Sequence, residues 1–96
     1  MPTRHGTMAT DRPERYAKQL AGHWARKSTT SQDEDGATVI RMESGGDVVL
    51  RPAPGELAIE ASMPDGGDVE RWAQVVKDHL ERFGQRDELN VVWQES

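Results

Sequence analysis

The side chains best suited to acid–base or ligand chemistry in this sequence are three histidines, His5, His23 and His79, which lie far apart along the chain. Imidazole titrates near neutrality and binds metals through either ring nitrogen. No His-x-x-x-His or Glu-x-x-His pair sets two donors on one helical turn, however, and there is no cysteine. A zinc centre needs three or four preformed ligands, so none is expected. Calcium fares no better. Ser31, Asp33, Asp35 and Gly36 would fill positions 1, 3, 5 and 6 of an EF-hand loop, but position 12 falls on Met42, one residue before Glu43. Nucleophilic chemistry lacks its setting too: the serines at 28, 31, 44, 62 and 96 carry no nucleophile elbow, and no Gly-x-x-x-x-Gly-Lys phosphate loop occurs. Nothing places two carboxylates in an apolar pocket that would separate their pKa values. No catalytic residue, metal or cofactor is therefore assigned.

Charge is the more informative signal. Residues 12 to 27 carry five Lys or Arg against Glu14 alone, whereas residues 28 to 70 carry ten Asp or Glu against Arg41 and Arg51. The net charge of -5 and the pI near 5.1 argue against nucleic acid as a partner. A local basic face can still dock an acidic protein. Arg12, Arg15, Lys18 and Arg26 are the candidates for that face.

These residues must be held by a small fold. Asp11-Arg12-Pro13-Glu14 reads as a helix start with Asp11 as cap, and Tyr16, Ala17, Leu20 and Trp24 recur at helical spacing through about Lys27. A second helix is stronger: Asp68 caps it, Val69, Trp72, Ala73, Val76, Leu80 and Phe83 line one face, and Gly84 ends it. Between the helices the period changes to two. Thr38 to Met42, Val48 to Arg51 and Leu57 to Met63 alternate and are separated by glycine- and proline-bearing turns, which predicts an antiparallel meander with one wet face. His5, Thr7 and Ala9 give a weak opening strand, and Leu89, Val91 and Trp93 a closing one. Ser28 to Gly36 reads as a loop with a short strand at its start.

Each apolar face must be covered by another element, so the expected fold is α+β. It is a two-layer sandwich of order β-α-(β)-β-β-β-α-β, with both helices on one face of a mostly antiparallel sheet of four to six strands. The whole chain, 1–96, is expected to be one domain. Val, Leu, Ile and Phe supply only about 17% of residues, under the roughly 20% associated with disorder. Trp24, Trp72, Trp93 and four Met add burial outside that tally. On helical geometry His23 and His79 lie at the borders of the apolar stripes, where rings usually pack and bond a neighbour. No apolar run approaches a membrane span, residues 1 to 10 lack a signal peptide's apolar core, and the absence of cysteine fits a reducing compartment. A cytoplasmic location is the expectation.

Three segments resemble a bacterial family known as domain of unknown function 2218. They are Ala9 to Leu20, the His23-Trp24 pair with Lys27, and His79 to Gly84 running on through Arg86 to Leu89 and Trp93. The resemblance implies a small bacterial protein, and it implies company with siderophore-interacting flavoreductases, hence a setting in iron acquisition. It brings no established catalytic residues. Family members often read His-Trp-x-His-Lys where this chain reads His23-Trp24-Ala25-Arg26-Lys27. Arginine cannot serve as an imidazole's substitute at a metal.

Two functions follow as expectations. The first is a non-catalytic binding or accessory module that docks an acidic partner, a siderophore-interacting reductase in the implied setting. The alternative is a small-ligand protein or enzyme with a cleft around His23, Trp24, Lys27 and Arg86. A deep, partly apolar pocket holding His23 or His79 favours the second, and a flat basic face favours the first. The oligomeric state, the strand order and whether His23 meets His79 are left open by the sequence.

Overall fold

Alternating and helical segments resolve, in a computed structural model that describes residues 2–94, into six strands and two α-helices. In chain order these are β1 (Thr3–Ala9), α1 (Pro13–His23), β2 (Ser28–Gln32), β3 (Thr38–Met42), β4 (Asp47–Ala53), β5 (Glu56–Ser62), α2 (Val69–Phe83) and β6 (Val91–Trp93). The strands form one antiparallel sheet of order β2-β3-β4-β5-β1-β6. The opening strand therefore lies inside the sheet, between β5 and β6. Register follows the alternation: Met8 lies opposite Leu57, Leu50 opposite Ile59, and Val48 opposite Ala61, all on the side the helices cover. Both helices pack on that one face, α1 over β3 to β5 and α2 over β5, β1 and β6. Two tryptophans, Trp24 and Trp72, join Leu20, Val76 and Leu80 there in a continuous core with the sheet residues.

Helix α2 forms as its sequence dictates. The Asp68 carboxylate accepts from the Arg71 N–H at 3.0 Å, and Trp72, Ala73, Val76 and Leu80 are buried. Gly84 ends the helix without a left-handed turn, at φ -95°; its missing side chain instead admits Leu89, since a Cβ there would lie 2.7 Å from Leu89 Cδ1.

Helix α1 departs from expectation at both ends. Asp11 does not cap it. Residue 12 precedes a proline and is pushed out of helical geometry, so the helix begins at Pro13 and the Arg12 N–H finds Thr10 Oγ1 at 3.1 Å. The other end comes four residues early, at His23, because Trp24 turns inward to 1% exposure. Residues Ala25–Lys27 form a 3-10 turn, and Ser28 Oγ donates to the Trp24 carbonyl at 2.7 Å. The closing strand is also shorter than its alternation implies. Leu89 belongs to the turn packed on Gly84, and Val91 enters the sheet with its N–H held by Glu81 Oε2 at 2.9 Å.

Among the described residues no helix is long and apolar enough to cross a membrane.

Candidate functional site

The outer surface of α1 and the turn that follows it carry the basic candidates. Arg12 sits at the N-cap, Arg15 and Lys18 follow at intervals of three on the helix, and Arg26 lies in the 3-10 turn. All four are exposed, because the apolar stripe of Pro13, Tyr16, Ala17 and Leu20 faces the sheet. Ion pairs among the described residues join Arg4 to Glu70 at 3.1 Å, Arg51 to Asp33 at 3.1 Å and His5 to Glu60 at 3.6 Å. None of them uses Arg12, Arg15, Lys18 or Arg26. The helix layer thus presents positive charge that no carboxylate within the described fold holds.

Beneath this face lies Tyr16, whose hydroxyl donates to Asp87 Oδ2 at 3.3 Å. Burial raises the pKa of the phenol, and the hydrogen bond to Asp87 and its negative charge add to that, while Arg15 and Arg12 pull the other way. The contact ties the start of α1 to the 3-10 turn Gln85–Asp87 beyond α2, so the helices run antiparallel. Both residues lie in the segments that carry the family resemblance, and Tyr16 also belongs to the helical stripe, but nothing in the sequence paired them.

Antiparallel packing brings His23 and His79 together, with ring centroids 5.2 Å apart at 56°. His79 also lies 5.0 Å from Trp24, and His23 lies 5.6 Å from Phe83. The His79 Nδ1 lies 2.7 Å from the Val75 carbonyl, so Nδ1 carries a proton and donates that bond. Both rings therefore pack and the second bonds a neighbour, as border histidines do. Among the described residues no group of three or more His, Asp or Glu side chains is arranged to hold a metal ion.

The cleft candidates are dispersed. Trp24 is covered by Trp72 and His79; His23 and Lys27 are exposed at the end of α1; Arg86 is exposed in the turn after α2. Three concavities stand out on the described surface. A groove of about 540 Å³ between α1 and β2 is lined by Ala17, Lys18, Ala21, Thr30 and Gln32 among others. One of about 270 Å³ lies on the open sheet face at His5, Val49 and Glu60, and one of about 350 Å³ at Asp11, Pro13 and the β4–β5 turn. None is lined by His23, Trp24, Lys27 or Arg86. The short strand expected at the start of the Ser28 to Gly36 stretch is present as β2, Ser28–Gln32, but the groove beside it was not legible, because it depends on how α1 packs next to that edge.

With that geometry in place, comparisons with known proteins speak to ancestry and fold. A family model described as an uncharacterized protein conserved in bacteria (DUF2218) matches residues 5–94. The NMR structure of PA4090 from Pseudomonas aeruginosa superposes with a TM-score of 0.74 at 23% identity, covering 98% of this chain and 96% of that one. At that identity the likeness concerns the fold alone. No curated protein matches.

Proposed function

This chain belongs to the DUF2218 family of uncharacterised proteins conserved in bacteria, and within it we propose a non-catalytic binding module whose basic helix face docks an acidic protein partner. One observation carries the reading: Arg12, Arg15 and Lys18, with Arg26 a turn beyond, stand exposed on the solvent side of α1 without a carboxylate partner in the described fold. Unpaired surface charge of one sign accelerates encounter with the opposite sign and sets orientation. The implied setting is iron acquisition in the cytoplasm, and a siderophore-interacting flavoreductase is the partner to test first. The alternative, a ligand cleft or active site at His23 with Trp24, Lys27 and Arg86, has the His23–His79 contact in its favour, but none of the three concavities serves it.

The test is association of the purified protein with such a reductase at several ionic strengths. Reversing Arg12 and Arg15 to Glu leaves folding nearly unchanged, since exposed substitutions usually shift stability by about 0.5 kcal/mol or less. Association slows by about tenfold or more, and the loss shrinks as salt screens charges beyond about 8 to 10 Å. Equal rates for the variant and the natural chain at low salt would overturn the proposal.

A further inference from the structure

Strand β2 ends the sheet with one edge unpaired, and it lacks the devices that usually protect an edge. Ser28-Thr29-Thr30-Ser31-Gln32 holds no charge and no proline, and threonine favours extended backbone. The opposite edge, β6, is only three residues long. Main-chain bonds at the two ends of β2 settle which groups point outward. Asp33 N–H donates to the Ala37 carbonyl at 3.0 Å, and the Lys27 carbonyl accepts from Glu43 N–H at 2.9 Å. Odd positions therefore bond to β3, and the N–H and C=O groups of Ser28, Thr30 and Gln32 face away from the sheet.

What flanks the strand selects its partner. Arg26 and Lys27 precede it, and Asp33, Glu34 and Asp35 follow it. Asp33 holds that turn together: its Oδ1 accepts from the Asp35 and Ala37 N–H groups and its Oδ2 from Arg51, leaving Glu34 and Asp35 exposed. A strand positive at one end and negative at the other complements itself when two copies run antiparallel.

We infer that two copies of this chain pair through their β2 edges, antiparallel about Thr30, to join two six-stranded sheets into one. In that register Thr30 faces the second copy's Thr30 and Ser28 its Gln32. Outward-facing positions thus meet only outward-facing positions, and about six main-chain hydrogen bonds form. The same register sets Arg26 and Lys27 of each copy against the acidic turn of the other. A two-fold axis normal to the sheet keeps both helix layers on one side, so the grooves between α1 and β2 of the two copies meet along the seam. Arg26 then belongs to the seam, while Arg12 and Arg15 stay free on the outer helix face. The inference does not depend on the acidic-partner reading.

Sedimentation equilibrium of the full chain at low salt tests it. An edge this short is expected to associate with a Kd on the order of 100 µM. Thr30→Pro removes an outward N–H that β3 does not use, so the fold persists by circular dichroism while the dimer is lost. Arg26→Glu with Lys27→Glu weakens association by about tenfold or more, and adding Glu34→Lys with Asp35→Lys to that chain restores it. A natural chain that stays monomeric up to about 1 mM would overturn the inference and leave the edge to a strand of another protein. So would a dimer that both the proline and the charge-reversed variants leave intact.

Discussion

Trp24 stacks on Trp72 with ring centroids 5.3 Å apart and 29° between the planes. One indole comes from the turn that ends α1 and the other from the first turn of α2, so this contact fixes how the two helices share the sheet face. Trp72 Nε1 donates to the Asp47 carbonyl at 2.8 Å, which satisfies its polar edge and ties the pair to β4. Trp24 is 1% exposed. The residue that looked available for a ligand beside His23 is the largest fully buried side chain of the core.

Truncating that pair should be costly in a domain with so few large aliphatic residues. Trp24→Ala is expected to destabilise by about 3–5 kcal/mol, and Trp72→Phe, which keeps most of the packing but loses the indole's bond to the Asp47 carbonyl, by about 1–3 kcal/mol. Urea denaturation followed by circular dichroism checks both. A Trp24→Ala loss below about 1 kcal/mol would show that the stack contributes little.

A second contact fixes the far edge of the sheet. Gly6 of β1 lies under Trp93 of β6, and a Cβ at residue 6 would come 2.6 Å from Trp93 Cε3 and 2.8 Å from the Val92 carbonyl. The carbonyl is main chain and cannot swing aside. Gly6→Ala is therefore expected to displace β6 and to cost about 1–3 kcal/mol. Hydrogen exchange should speed up at Thr7 and Val92, the pair that bonds β1 to β6, while β3 and β4 keep their protection. Uniform protection across all six strands would contradict the prediction.

How much of this was legible depended on whether a pattern was local. Helix α2 and the β3–β4–β5 meander could be read because period, caps and turns agree within short windows, as with Asp68, Gly84 and the alternation from Leu57 to Met63. The resemblance to the family came from residues spread along the chain, and the match over residues 5–94 bears it out. The end of α1 was misread because Lys27 continues a helical count, whereas the pull of Trp24 into a tertiary cavity breaks the helix. Strand order was hidden for a similar reason: that β1 slots between β5 and β6 depends on contacts as distant as Thr3 with Ser62. The His23–His79 contact required the antiparallel sense of two helices separated by the whole meander.

Metal content gives a direct check on the histidines. Two imidazoles meet, but a stable centre needs at least a third donor, and the described residues assemble no such group. Elemental analysis of the purified, tag-free chain is expected to find less than about 0.1 zinc, iron or calcium per molecule. About one tightly held ion per chain, lost in His23→Ala or His79→Ala, would overturn that expectation.

The pH dependence of stability turns on Tyr16, which is 5% exposed and bonded to Asp87. Burial first, then the hydrogen bond to Asp87 and its charge, raise the phenol's pKa above 10.0 in the folded state. The sign follows from linkage: the folded chain holds this proton more tightly than the unfolded chain, so the contribution of Tyr16 is fully present below pH 10.0 and is lost as pH rises through the folded value. Tyr16→Phe removes a titrating group and one hydrogen bond without emptying the core. Near neutrality it is expected to cost about 1 kcal/mol, and above pH 10 the gap to the natural chain should close as the phenol's own penalty grows. Asp87→Asn should lower the phenol's pKa, read directly from tyrosinate absorbance, because the carboxylate raises it through both its bond and its charge. Urea midpoints for the natural chain and Tyr16→Phe that run parallel from pH 7 to 11 would show that the phenol titrates as if it were in water.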